Sequence, residues 1–390
     1  MPDQTWWCSE SELDDDQKAV MELPPDGSFL VRGPPGSGKT NLLLMRASYL
    51  AMSHKNLIVV VFNRTLAEFL KAGAAKYKFP PDNVYTYVQL VRQLAQEAGY
   101  PFEKVTSFDE AREQSIAILT SLVEDRDEPM FDALLIDEAQ DYRLEELRAL
   151  RKLSSDIFLA ADARQRIYKQ DDADGSGLAK LVDEELDLRF HYRNALGICE
   201  LADRIGDTFA TQHKYVRITP GCRYPLDGPQ EEIRIVQANL DEQTALIIER
   251  VKVQLRAFPD ELIGVFAPYR ADVEYIASAL SQAGYGELLA AQGSEDGFIH
   301  IDPTRPIFVS SVHAAKGLEF RAVHFAAAET VKKARAEQKR VAFTAVTRAK
   351  TSLTVYHDGP LPGWFDKAVD PNRTASGHRH SWKDVFSDGE

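Results

Sequence analysis

Short apolar runs alternate with longer stretches of helical periodicity along almost the whole chain. No other feature restricts the fold as much, because this alternation marks βαβ units winding a mainly parallel sheet. In the first half, strands are expected near Ser28–Arg32, Leu57–Phe62, Ala133–Asp137 and Ile157–Ala160. In the second half they are expected near Ile233–Val236, Ile263–Ala267, Ile307–Val312, Ala322–Phe325 and Leu353–Tyr356. A chain of 390 residues is long enough for two such domains, each with its own core. The polar, Gly-rich stretch from Gln170 to Gly177 separates them, and the boundary is expected near Glu185, giving domains 1–185 and 186–357. A loop from Ala291 to Pro306 interrupts the second half. The tail 358–390 is rich in Pro, Gly and polar residues and reads as partly disordered.

Composition narrows the function classes. No apolar run approaches the length of a bilayer span, and Met1 to Asp16 is polar and acidic, unlike a signal or transit peptide, so a cytoplasmic location is expected. Cys8, Cys199 and Cys222 lie far apart with no CxxC pair, a pattern that suggests neither a disulfide framework nor a zinc site. A formal charge of −14 argues against a surface coated in nucleic acid but leaves room for a local basic groove.

The string Gly33-Pro34-Pro35-Gly36-Ser37-Gly38-Lys39-Thr40 follows an apolar run and precedes the helical run Asn41–Leu50. Glycines let backbone N–H groups curl around phosphate oxygens, and the helix N-terminus adds partial positive charge. Lys39 is then expected on the β and γ phosphates, with the Thr40 hydroxyl on Mg²⁺. Gly33, Gly36, Ser37 and Gly38 complete the cradle. A chance Gly-rich turn is the alternative, and the full GxxxxGKT string in a strand–loop–helix setting argues against it.

A second acidic segment, Leu134-Leu135-Ile136-Asp137-Glu138, ends a buried strand in two adjacent carboxylates. Asp137 suits the Mg²⁺ shell, and Glu138 suits polarising the attacking water of ATP hydrolysis. Alone, such a pair more often starts a helix, where negative charge is stabilising. Together with the phosphate loop it indicates hydrolysis.

The string Asp137-Glu138-Ala139-Gln140-Asp141 resembles the second motif of UvrD/Rep-like superfamily 1 helicases, and other motifs follow in the family's order over nearly the whole chain. Leu13 to Gln17 resembles the Q motif, which implies that Gln17 reads the adenine edge. Val61-Phe62-Asn63-Arg64 and Tyr85-Thr86-Tyr87 are similar to the segments that line the nucleic-acid path, implicating Phe62, Asn63 and Thr86. The stretch from Ala161 to Tyr168 resembles the third motif, with Gln165 sensing the γ-phosphate and Tyr168 near the strand. His191-Tyr192-Arg193-Asn194 resembles the fourth, with Tyr192 stacked on adenine and Arg193 on the γ-phosphate. Ser311 to Phe320 resembles the fifth, which implies His313 at nucleic acid and Glu319 near the ribose. Thr344 to Lys350 resembles the sixth, with Arg348 as an arginine finger.

The resemblance implies an α/β fold of two RecA-like domains with nucleotide in the cleft between them. Its expected cofactors are ATP and Mg²⁺, with single-stranded DNA or RNA as partner. Phosphoryl transfer needs cations facing the phosphate loop, and arginine supplies them as a planar group that stays charged. Arg193 and Arg348 from the second half would meet the γ-phosphate only when the halves close, so ATP would drive closure and hydrolysis would release it.

Three departures bear on what the ATP is used for. The connections between Asn63 and the Asp137 strand, and between Arg270 and Val309, are too short for the accessory subdomains of full-length relatives. After Tyr168, Lys169-Gln170-Asp171-Asp172 stands where the family has a stacking aromatic and an arginine. Base stacking is worth about 1–3 kcal/mol per base, and acidic groups repel phosphates, so strand grip is weakened. Ala161 and His191 replace a glycine and an asparagine. The sequence therefore leaves two readings. One is a single-stranded nucleic-acid-dependent ATPase, translocase or helicase; the other is a non-unwinding ATPase switch working with a protein partner such as a nuclease subunit. A P-loop kinase for a small metabolite would not need Arg193 and Arg348 together.

Other signals fit ordinary surface chemistry. Asp172-Ala173-Asp174-Gly175 lacks the terminal carboxylates of a calcium loop. His378 and His380 read as solvated tail residues, Trp6 and Trp7 as the cover of a core edge or a docking patch, and the basic residues Lys332, Lys333, Arg335, Lys339 and Arg340 as either a solvated helix face or a face toward phosphates.

Overall fold

The computed structural model describes residues 7–53, 56–103, 105, 108–124, 126, 128–162, 164, 176–209, 215–225, 231–292, 305–331 and 336–370. Among these the chain forms two six-stranded sheets in which every strand pair is parallel. The first contains β1 (Phe29–Arg32), β2 (Leu57–Val61), β3 (Val84–Thr86), β4 (Phe131–Ile136), β5 (Ser154–Ala161) and β6 (Glu184–Asp187), in the order β3-β2-β4-β5-β1-β6. Its helices are α1 (Asp15–Met21), α2 (Lys39–Met52), α3 (Arg64–Ala74), α4 (Tyr87–Ala98), α5 (Phe108–Glu124), α6 (Leu144–Lys152) and α7 (Ser176–Ala179).

Helix α8 (Leu196–Gly206) leads into the second sheet, built from β7 (Glu232–Gln237), β8 (Ile263–Ala267), β9 (Leu289–Ala291), β10 (Ile307–Ser311), β11 (Phe320–Phe325) and β12 (Ala349–His357). Their order is β7-β12-β11-β8-β10-β9, with α9 (Leu240–Ala257), α10 (Arg270–Leu280), α11 (Ala336–Thr347) and α12 (Gly363–Val369) around them. The α/β architecture with two parallel sheets agrees with the expectation of tandem RecA-like domains.

Strands β1, β2 and β4 are apolar without alternation because both of their faces are covered. Val31, Val59, Val61 and Leu135 face one side, with Leu42, Leu43 and Leu66 of α2 and α3. Leu30, Ile58, Val60, Leu134 and Ile136 face the other, with Leu90 and Leu94 of α4 and Leu119 of α5. In the second sheet Ile263, Val265, Ile307 and Val309 pack with Ile247 of α9 and Ile276 of α10. Its other face, carrying Phe266, Phe308, Phe320 and Phe325, belongs to the same apolar cluster as Val61 and Leu66 of the first half. Fully burying a side chain of this kind contributes about 1.5–3 kcal/mol, so this shared core holds the halves against each other.

Every strand expected from the sequence is present. Strands β3, β6 and β9 were not expected. Strand β6 is acidic and is fixed by pairing with β1 from Phe29↔Glu184 to Arg32↔Asp187, with Arg32 Nε donating to Glu185 at 2.9 Å. The first sheet therefore runs to Asp187. The first part of the tail is structured: Phe365 of α12 is fully buried and α12 packs on α8; residues 371–390 lie outside the described residues. Trp7 stacks on Phe69 at 5.4 Å and so does cover a core edge; Trp6 lies outside the described residues. Among the described residues, no helix is long and apolar enough to cross a membrane.

Candidate active site

The phosphate loop runs from the end of β1 to the start of α2. Gly36 (φ 76°) and Gly38 (φ 82°) hold left-handed backbone that side chains rarely adopt. Gly36 meets a second demand. Tyr192 N–H donates to its carbonyl at 3.1 Å, and a Cβ added there would overlap Arg193 Cβ. The segment before α8 thus lies directly on the loop.

Lys39 donates to the carbonyls of Gly33 and Pro34, each at 2.9 Å, and lies 3.4 Å from Ser37 Oγ. Burial lowers the pKa of its ammonium, while Asp162, Glu138 and Asp137 act to raise it. Asp14 caps α1 through reciprocal bonds with Gln17, whose Nε2 donates to the Ser37 carbonyl at 3.0 Å. Tyr192, 38% exposed, donates its hydroxyl to the Asp14 carboxylate beside Gln17.

Asp137 follows β4, where the buried strand delivers it opposite α2. It accepts the Thr40 hydroxyl at 2.8 Å. Burial, with Glu138 adding to it, pushes its carboxyl up to about 7. Glu138 sits in left-handed backbone at φ 52° and ψ 41°, a conformation costing about 1–3 kcal/mol for a residue with a Cβ. Burial raises its pKa, but the cations Lys316, Arg348 and Lys39 outweigh this and hold the carboxylate below its usual range. Gln140 donates to Glu138 and accepts from Asp162 N–H at 2.8 Å, linking the end of β4 to that of β5. Asp162 is buried, and its Oδ2 has no hydrogen-bond partner.

The second half supplies the facing cations. Arg193 Nε donates to Glu319 at 2.6 Å, and the other Glu319 oxygen is 3.0 Å from Lys350 Nζ. Glu319 is therefore held as a carboxylate by Lys350 and Arg193 against its burial. Arg348 is 1% exposed and donates to the Leu318 carbonyl at 2.8 Å. Burial, then Arg193, pull its guanidinium down to about 9, which leaves it cationic at neutral pH; Glu138, Glu319 and Asp162 oppose the shift. Lys39, Asp137, Glu138, Arg193 and Arg348 are thus neighbours in one buried polar centre.

The residues expected at nucleic acid are more dispersed in role. Phe62 packs edge-on against Tyr142 at 5.3 Å, with the Arg112 guanidinium 5.4 Å from its ring. Asn63 accepts Leu66 N–H at 2.6 Å and donates to the Lys316 carbonyl at 3.0 Å. Thr86 is buried and caps α4. His313 is exposed. Gln165 and Tyr168 lie outside the described residues.

Sequence reading did not single out Lys316. Its ammonium is 2% exposed, donates to both Asp141 oxygens at 2.7 Å and lies 3.9 Å from Glu138. Burial raises Asp141 to about 6 despite Lys316. Both residues stand inside the quoted motifs, but nothing local in the chain signals that they meet. Cys199 and Cys222, distant in sequence, converge on His191.

These residues fit nucleotide and a divalent ion. The left-handed loop presents N–H groups at a helix start, and Thr40 and Asp137 already adjoin as two oxygen donors, the ligand type a hard cation takes.

A family model described as an AAA domain matches residues 16–171, and one described as a UvrD-like helicase C-terminal domain matches residues 306–356. Among solved structures, the chain is similar to the C-terminal domain of a possible DNA helicase from Lactobacillus plantarum WCFS1. That match has 19% identity and a TM-score of 0.33, covering 45% of this chain and 93% of that one. It is also similar to PRRSV helicase, at 14% identity and a TM-score of 0.42, covering 88% of this chain and 54% of that one. No curated protein matches the sequence. With an AAA domain followed by a UvrD-like helicase C-terminal domain, the chain carries superfamily 1 helicase-like ATPase domains, as its motifs led one to expect.

Proposed function

We propose that this chain hydrolyses ATP between its two α/β domains, divided near the end of β6, and that single-stranded nucleic acid stimulates the reaction. The observation that carries the reading is the convergence of Arg193 and Arg348 from the second half on Lys39, Asp137 and Glu138 of the first. In this reading Lys39 and the loop amides bind the triphosphate, and Gln17 and Tyr192 flank the base. Thr40 and Asp137 would hold Mg²⁺, which supplies charge neutralisation at the phosphates. Glu138, kept ionised by its cationic neighbours, orients and deprotonates the attacking water. Arg193 and Arg348 stabilise the charge that builds in the transition state, with Gln165 as γ-phosphate sensor. The test is the ATPase rate of the purified chain with and without single-stranded DNA or RNA. A several-fold rise is expected, and a flat response over a broad titration would refute stimulation.

The second reading, an ATPase switch working with a protein partner such as a nuclease subunit, draws support from Phe62, Asn63 and Thr86. Their side chains serve packing, a cross-half bond and a helix cap. ATP-dependent co-purification of a partner would favour it, and vigorous translocation by the lone chain would rule it out.

A further inference from the structure

His191, Cys199 and Cys222 come from three segments: the extended stretch before Tyr192, helix α8, and the end of the turn Thr219–Gly221. The fold brings one donor atom from each within 4.8 Å of the others. His191 and Cys199 are fully buried, whereas Cys222 is half-buried and gives a route from solvent. The backbone pins this arrangement: His191 N–H donates to the Gly221 carbonyl at 3.0 Å, and Arg223 N–H donates to that of His191 at 2.8 Å.

The polar atoms here are poorly satisfied. His191 Nδ1 has no hydrogen-bond partner, although leaving a buried polar atom unpaired costs about 1–3 kcal/mol. Both thiols point at one acceptor, the Asn194 carbonyl, at 3.6 Å from Cys199 and 3.4 Å from Cys222. Cys199 Sγ is also 3.9 Å from His191 Nε2.

We propose that His191, Cys199 and Cys222 form a binding site for one thiophilic transition-metal ion, of which Zn²⁺ is the representative. Two sulfurs and one imidazole suit zinc or copper(I), whereas Mg²⁺ and Ca²⁺ take oxygen donors. Tetrahedral zinc holds sulfur at about 2.3 Å and nitrogen at about 2.0 Å, which sets the donors about 3.5–3.8 Å apart. The present spacing therefore needs to contract by at most about 1.3 Å. Binding displaces the protons of both thiols to water, so two thiols become two metal thiolates beside a neutral imidazole. The imidazole binds through one ring nitrogen and keeps its proton on the other. Three protein donors leave one position to water.

The consequence is mechanical. The residues after His191 are Tyr192, bonded to the Gly36 carbonyl, and Arg193, lying on Gly36. An ion at this site fixes the segment that presses Arg193 onto the phosphate loop. The site stands independently of the ATPase reading.

The test strips the full chain with a chelator under reducing conditions and titrates it with Co²⁺. One equivalent is expected, with a thiolate-to-cobalt charge-transfer band that Zn²⁺ displaces. Lys39→Ala should keep the band, because the phosphate loop lies outside the site. Cys222→Ser, at a half-buried position, should lose it and weaken cobalt binding by more than about 100-fold, since even outer-shell partners are worth 10–100-fold. A second measurement needs no variant: Zn²⁺ should protect Cys199 and Cys222, but not Cys8, from alkylation mapped by mass spectrometry. The proposal is overturned by a wild-type chain with no band and no protection, by a band that survives in Cys222→Ser, or by recovery of a Cys199–Cys222 disulfide from the untreated protein.

Discussion

Lys316 donates to both carboxylate oxygens of Asp141 at 2.7 Å, joining the loop after β10 to the acidic turn after β4 in a buried ion pair across the two halves. The same ammonium lies 3.9 Å from Glu138 and helps keep it ionised. One side chain thus links the packing of the halves to the state of the candidate base.

Removing Lys316 should therefore cost more than one hydrogen bond. Lys316→Ala strands the Asp141 carboxylate without its cation, and breaking a buried pair in this way costs about 3–5 kcal/mol. Urea denaturation is the measurement. Lys316→Met with Asp141→Leu should recover most of the loss, because a packed apolar pair avoids the desolvation cost. A double variant as unstable as the single one would show that the pair is not the cause.

Glu138→Gln should lower ATP turnover by about 10²–10⁴-fold, the usual worth of a positioned general base, with the fold intact by circular dichroism. Nucleotide binding, read with a fluorescent analogue, should persist in this variant and be lost in Lys39→Ala. Unchanged ATPase activity in Glu138→Gln would mean that water is activated elsewhere.

Arg348→Ala should slow turnover by about 10³–10⁵-fold if the residue acts as an arginine finger, and Arg348→Lys should rescue little because the planar fork is lost. Full activity in Arg348→Lys would reduce its role to charge alone.

Gly36→Ala tests the loop's second task. Left-handed backbone costs a residue with a Cβ about 1–3 kcal/mol, and here the methyl also overlaps Arg193. A thermal melt should fall by about 2–4 °C for each kcal/mol lost. A variant as stable as wild type would contradict the close approach of the two segments.

His324 gives a pH prediction. It is fully buried between Gln254 and Tyr356, and burial, with Arg250 adding to it, depresses its pKa from 6.5 to about 3. The unfolded chain therefore binds a proton below pH 6.5 that the folded chain refuses until about pH 3. Stability from this group is present above pH 6.5 and is lost as pH falls through that window, by about 1.4 kcal/mol per pH unit. Comparing urea midpoints at pH 7 and pH 5, His324→Gln should lose about 2 kcal/mol less than wild type. Equal losses would show that the imidazole does not oppose protonation.

The sequence by itself determined the two parallel sheets, because strands such as Leu57–Val61 and Ile263–Ala267 are apolar on both faces and alternate with helical periods. It also determined the phosphate loop and the acidic strand end, where the chemistry depends on neighbours in the chain. Strand β6 was hidden because Glu184, Glu185 and Asp187 carry no strand signal and are held by pairing with β1. Only the tertiary structure decided that Lys316 meets Asp141, that Gly36 makes room for Arg193, and that His191, Cys199 and Cys222 converge. Periodicity and spacing report what a residue does within its own helix, strand or turn. Contacts between distant segments are set by how the two sheets bury their shared face, and no local pattern records that.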